Sequence, residues 1–194
     1  MFNRYFNDYC TLNPLLPLLG HISMMMIEMN VSQNMLDKAQ KASDKLGVLR
    51  NSISQGRGNK AGYVGEYCVM DYLINNKHDV VEDNTYDYDF YLNTKNNGKL
   101  KIDVKTKTTR VKPLSYYDCS IAEYNTKQKC DVYVFTRILY SLKKIWLLGW
   151  LPKQEYFNKS TFLKKGTVDE DNGYTVKASC YNLKIDELNL MENL

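Results

Sequence analysis

The stretch DVYVFTRILYSLKKIWLLGWL, residues 131 to 151, restricts the fold more than any other. Its first half is β-branched and aromatic almost throughout, which reads as a buried strand. IWLLGWL repeats the character after YSLKK, a link short enough to be a turn, so the second strand is expected to run antiparallel to the first. Trp146, Trp150, Tyr156 and Phe157 then belong to core and sheet packing rather than to a platform for stacking bases, because their spacing fits a buried strand.

Around this pair the chain alternates in type. From Ser32, SQNMLDKAQKASDKLG places Met35, Leu36, Ala39, Ala42 and Leu46 along one side of a helix, with Gly47 as the stop. NSISQGRGN is a loop by composition, and a second helix is expected over about Lys60 to Asn75. DVVED is a short strand candidate, followed by a hairpin turned at Asn96-Asn97-Gly98. YYDCSIAEY reads as a strand, NTKQKC as a helical turn, and YTVKASCYNLKI near the end as a strand. The order predicts an α/β (α+β) domain around one mixed sheet, spanning 30–194. Residues 1–29 stand apart as an arm: LNPLLPLLGHISMMMIEM is apolar but is broken by Pro14, Pro17 and Gly20. It is too interrupted to span a bilayer, and as a signal peptide it has a weak basic end, two prolines in its apolar part and no small-residue cleavage site.

Composition narrows the chemistry. The 194 residues carry five cysteines, with no CxxC and no Cys/His cluster, so a zinc site is not expected and free thiols in a reducing, cytoplasmic compartment are. Two histidines, His21 and His78, cannot build a histidine-rich metal site. A net charge of +4 permits a polyanionic partner without demanding one.

Chemistry concentrates in YDYDFYLNTKNNGKLKIDVKTKTTR, residues 86 to 110. Alternation along the second strand puts Asp103, Lys105, Lys101 and Lys107 on one face and Ile102 and Val104 on the other. An acid-x-Lys triplet by itself is equally a solvated strand face, since about one or two arise by chance in a chain of this kind. Two further features point to a site. Asp89 opens the preceding strand, so carboxylates of two paired strands, with the backbone carbonyl of Val104, can converge on one hard cation such as Mg²⁺ or Mn²⁺. Glu66 shares its helix stripe with Gly62, Val69, Met70 and Leu73, and a carboxylate on a packing face requires a partner. Asp87 competes with Asp89 for the first acid position.

Taken together, Glu66 in GYVGEYCV, Asp89 in YDYDFYL, and Asp103 and Lys105 in KIDVKTK resemble the PD-(D/E)XK nuclease superfamily over about residues 59 to 138. This is the fold of many restriction enzymes, Holliday-junction resolvases and phage nucleases. Tyr88 stands where the pattern's name has proline, and Asp103 where glutamate is commoner. The resemblance implies a restriction-endonuclease-like core and a Mg²⁺- or Mn²⁺-dependent DNA endonuclease that hydrolyses phosphodiesters. Glu66, Asp89, Asp103 and the Val104 carbonyl would serve the metal, and Lys105 would position the attacking water. It also points to a polar residue after the lysine strand, for which Gln128 is the candidate. Arg57 and Lys60 at a helix N-terminus, and Lys107, Arg110 and Lys112 beyond the catalytic strand, are candidate DNA phosphate contacts. An exonuclease, a junction resolvase acting as a homodimer with paired sites, and an inactive DNA-binding or inhibitory protein on the same fold stay open beside it.

Overall fold

A computed structural model describes residues 26–46, 58–83, 85–170 and 173–194. Along the chain, strand β1 (Ile27–Asn30) leads to helix α1 (Gln33–Leu46), and helix α2 (Asn59–Asn75) precedes strands β2 (Val80–Glu82), β3 (Phe90–Asn93) and β4 (Lys99–Thr109). Strand β5 (Asp118–Ala122) and a short 3-10 turn (Glu123–Lys127) come next. Then follow β6 (Val132–Leu139), β7 (Lys144–Pro152), helix α3 (Lys153–Lys159), β8 (Thr161–Leu163) and β9 (Cys180–Lys184). The architecture is mixed α/β, a curled mixed sheet flanked by three helices.

The large sheet has six strands in the order β1-β7-β6-β4-β3-β2. Strands β4 and β6 are parallel, while β6 and β7 are antiparallel across their short link. Strand β6 is buried on both sides. Val132, Val134 and Ile138 join Ile102, Val104, Phe90 and α2 residues Val64, Cys68 and Leu73 in one core. Tyr133 and Phe135 join Trp146, Leu148, Tyr156 and Ile185 in a second core on the opposite face. Helix α1 packs on α2, sealing the first core, with Ala39 fully buried.

One mixed sheet was the expectation, and the structure has two. Strands β5, β9 and β8 form a separate three-stranded antiparallel sheet. The physical reason is the parallel pairing of β4 with β6, which forces a crossover between them. The crossover lays β5 over the face carrying Tyr133 and Phe135, where the C-terminal strands add to it and close the second core. Tyr156 and Phe157 stand on α3 rather than on a strand, although both pack in or against that core. The N-terminal boundary also shifts. Residues Ile27–Met29, assigned above to the arm, pair with β7 as the edge strand of the main sheet. Residues 1–25 lie outside the described ones. Among the described residues no helix is long and apolar enough to cross a membrane.

Helix α2 approaches the sheet most closely at Gly65. Thr106 of β4 and Thr136 of β6 are bridged by a hydroxyl hydrogen bond of 2.9 Å. A Cβ on Gly65 would lie 1.9 Å from the Thr106 hydroxyl and 3.0 Å from that of Thr136. The bare glycine lets the helix backbone rest on this threonine pair, which brings its neighbour Glu66 to the edge of β4. One turn earlier, Gly62 has nothing within 4 Å of its would-be Cβ. Gly65→Ala is therefore expected to destabilise the fold by about 1–3 kcal/mol through overpacking. Gly62→Ala should be neutral or stabilising by up to ~1 kcal/mol, from helix propensity alone. Urea unfolding of the two variants checks the contrast, and equal stabilities would contradict the close approach.

Candidate active site

Strands β3 and β4 pair only from Phe90 to Asn93 against Ile102 to Lys99. Beyond that point β3 turns away. The Tyr88 carbonyl accepts from the Thr85 backbone N–H at 2.9 Å and from its hydroxyl at 3.1 Å, closing a local turn. The Asp89 carboxylate takes over on the β4 edge, accepting the Val104 backbone N–H through Oδ2 at 2.6 Å. Because a residue's N–H and C=O share one side of a strand, the Val104 carbonyl opens on this same edge.

The unpaired edge of β4, α2 and the Thr85–Asp89 turn enclose a cleft of about 690 Å³. Glu66, Asp89, Val104, Lys105, Lys107 and Gln128 line it. Asp103 does not reach the wall. It lies beneath, 3% exposed, ion-paired through Oδ2 with Lys105 Nζ. Gln128 joins the two charges: its Oε1 accepts from Lys105 Nζ at 2.9 Å, and its Nε2 donates to Asp103 Oδ1 at 3.1 Å and to the Tyr86 carbonyl at 3.0 Å. Lys153 Nζ donates to the Gln128 backbone carbonyl and fixes it from behind. The 3-10 turn ending at Lys127 thus delivers a buried amide to the acid-x-Lys pair.

The other candidates separate by position. Asp87 accepts the Lys129 backbone N–H at 3.1 Å and does not line the cleft, whereas Asp89 does. Lys60 is half-buried in the first turn of α2, and Arg110 and Lys112 are exposed past the end of β4; none of the three lines the cleft. The charge of Lys112 is felt instead at Glu28, on the far edge strand β1. Arg57 lies outside the described residues. Arg137 of β6 and Tyr63 of α2 line the cleft without having been singled out. Tyr63 stands one helical turn before Glu66, a signal open to inspection. Arg137 requires the register of β6 against β4, which pairs it with Lys107.

Electrostatics set the character of the cleft. Loss of hydration, then the negative charges of Glu66 and Asp103, hold the Asp89 carboxyl well above the usual carboxylate range, against the Val104 N–H and Lys105. Burial also raises Asp103, outweighing Lys105, Gln128 and Lys153. Tyr63 is raised by desolvation and by the charges of Glu66 and Asp89. A buried carboxyl raised by two neighbouring carboxylates fits a site relieved by a cation. Among the described residues no three His, Cys, Asp or Glu side chains stand close enough to form a metal cage by themselves. Mg²⁺ needs no such cage, since it keeps several waters and takes one or two carboxylates. Asp89, Glu66 and Val104 line one cleft and are the groups that could supply such a set, with Asp103 set behind them.

No protein-family model matches the chain, and no curated protein matches it either.

The raised Asp89 carboxyl has a consequence for stability. The folded protein keeps this proton to higher pH than the unfolded chain does, so between the two pKa values the native state binds more protons and stability falls as pH rises. In metal-free buffer Asp89→Asn, which can still accept the Val104 N–H, is expected to melt above wild type at neutral pH. The gap should close as pH drops below the ordinary carboxylate range. Thermal melts from about pH 3 to 8 check this, and a gap independent of pH would contradict it.

Proposed function

We propose that this protein is a Mg²⁺- or Mn²⁺-dependent DNA endonuclease with a restriction-endonuclease-like core of the PD-(D/E)XK type. The observation that carries the reading is the Asp103–Lys105 pair, clamped by Gln128 and set against Asp89 and Glu66 at an unpaired strand edge. A lysine held between an acid and an amide has its Nζ position fixed, which a solvated strand face would leave free.

Each residue then has a task. Asp89, Glu66 and the Val104 carbonyl would hold the divalent cation. When bound, such a cation lowers the pKa of water and neutralises charge on phosphoryl oxygens. Lys105 is aimed along the same edge, where its ammonium orients the attacking water and offsets charge that develops on the phosphorus oxygens in the transition state. Asp103 holds Lys105 by charge, and Gln128 holds both by hydrogen bonds. These two are positioning groups as much as chemical ones, since Asp103 is buried beneath the cleft wall. The cleft runs between α2 and the β4 edge, and its basic residues Lys105, Lys107 and Arg137 suit a phosphate backbone.

Wild-type protein is expected to nick supercoiled DNA with Mg²⁺ or Mn²⁺ and to stop when EDTA is added. Asp103→Asn and Lys105→Met should each lower the rate by ~100-fold or more, the scale of losing a preorganised electrostatic group. Gln128→Ala should cost about 10-fold, with KM little changed, as removal of an orienting partner does. Cutting by the variants at the wild-type rate would overturn the site, and no cutting by wild type with either metal would overturn the function.

A further inference from the structure

Two residues past Lys105, the same face of β4 carries Lys107, and the parallel register sets Arg137 of β6 beside it. Both line the cleft. Arg137 is only 8% exposed. Its Nη2 donates to the Asp118 carbonyl at 2.8 Å, and its guanidinium lies 5.0 Å from the centre of the Tyr117 ring. Its Nε is buried and has no hydrogen-bond partner among the described residues. Neither Arg137 nor Lys107 forms an ion pair among them. The carboxylate of Asp118, close by, is paired with Lys184 at 2.9 Å. Among the described residues Lys107, Arg137 and Lys184 thus share a single carboxylate, and the first two repel each other. Lys107 is exposed along its side chain, but loss of hydration where its ammonium enters the cleft, and then the Arg137 charge, push that ammonium below its ordinary range. A buried guanidinium with an unsatisfied N–H beside a second cation carries a standing cost that an anion would remove.

We infer that Arg137 and Lys107 form a second phosphate subsite, which holds a substrate phosphate next to the one that is cut. The spacing supports this. Residues two apart on a strand face stand about 6.8 Å from each other, which matches successive phosphates along a nucleotide chain. A planar guanidinium gives directed N–H groups for a phosphate's oxygens, and Lys107, exposed at the mouth, adds charge. The identity of the anion as a nucleic-acid phosphate rests on the nuclease reading; the excess of positive charge does not. The occupant is either an internal phosphodiester or the phosphate monoester at a strand end, and both present the same oxygens.

Thymidine 3′,5′-bisphosphate, two phosphates one nucleotide apart, is the probe for binding in EDTA, read by calorimetry on wild type, Arg137→Gln and Lys107→Met. Both substitutions are expected to weaken binding by about 10-fold or more, with melting temperatures recorded beside them. In Mg²⁺, the same variants should raise KM for oligonucleotides more than they lower kcat. Each should reduce the salt slope of binding by about 1. Oligonucleotides with a 5′-phosphate and with a 5′-hydroxyl separate the two sources, because only a strand-end occupant makes the difference depend on Arg137. If wild type cuts DNA while both variants keep its KM, salt slope and bisphosphate affinity, the subsite is overturned and the nuclease reading stands. If wild type cuts nothing but binds the bisphosphate in an Arg137-dependent way, the subsite stands and the nuclease reading falls. Absence of both cutting and binding overturns both. Should Arg137→Gln fail to fold, Lys107→Met, an exposed substitution, decides alone.

Discussion

At one point on the β4 edge a side-chain carboxylate does the work of a backbone carbonyl. Asp89 Oδ2 accepts the Val104 N–H where the β3–β4 ladder would otherwise continue. With that bond, β3 leaves the sheet without stranding a buried donor, and everything beyond Val104 on that side of β4 becomes cleft. Had the Tyr88 carbonyl kept the ladder, β3 would have covered the edge that Lys105 and the Val104 carbonyl now present. The turn at Thr85 removes the carbonyl from competition. The cleft is thus a controlled failure of strand pairing, and the acid that tolerates the failure is also the acid that the proposed function assigns to the cation.

The same arrangement explains why the site is the electrostatically unfavourable part of a favourable fold. The two apolar cores lie on opposite faces of β6. At the edge between them Asp89 lies in the fields of Glu66 and Asp103, and burial raises Asp89 and Asp103. Lys105 answers part of this negative charge, and Gln128 keeps it from turning to solvent. Sites that must bind cations or developing charge are commonly left less stable than the fold around them. Here the surplus is negative beside Asp89 and positive beside Arg137, a separation that a metal ion and a phosphate chain would satisfy together.

Much of this was open to inspection in the residues, because it depends on local pattern. The 3.6-residue spacing of α1 and α2, the Asn96-Asn97-Gly98 turn and the density of β-branched residues in VYVFTRIL each determine an element with little outside help. Glu66 was visible as a carboxylate on an apolar helix stripe, Asp89 as an acid opening a strand, and Asp103 and Lys105 as an acid-x-Lys pair on one strand face. What was not legible depends on pairing across distance. The second sheet exists because Cys180–Lys184 finds Asp118–Ala122, and nothing in either segment names the other. Arg137 gains its place only through the register that sets it beside Lys107. The separation of Asp87 from Asp89 was hidden likewise, since it depends on Lys129, forty-two residues away, donating its N–H to one and not the other.

Strand β4 also shows how one periodicity of two can serve both packing and chemistry. Its even positions, Ile102, Val104 and Thr106, face α2, and Thr106 gives Gly65 its seat. Its odd positions carry Asp103, Lys105 and Lys107 toward the crossover, passing from buried through half-buried to exposed. Glu66 belongs to the even side and Lys105 to the odd side, so in a fully paired sheet the strand itself would keep them apart. Only at an unpaired edge can groups from both faces reach the same space. The close seat of α2 brings Glu66 down to that edge from one side, and Gln128, arriving from the crossover, holds Lys105 to it from the other. Convergence of the site therefore depends on two backbone features, the bare Cα of Gly65 and the interrupted ladder at Val104, more than on the identity of any single charged residue.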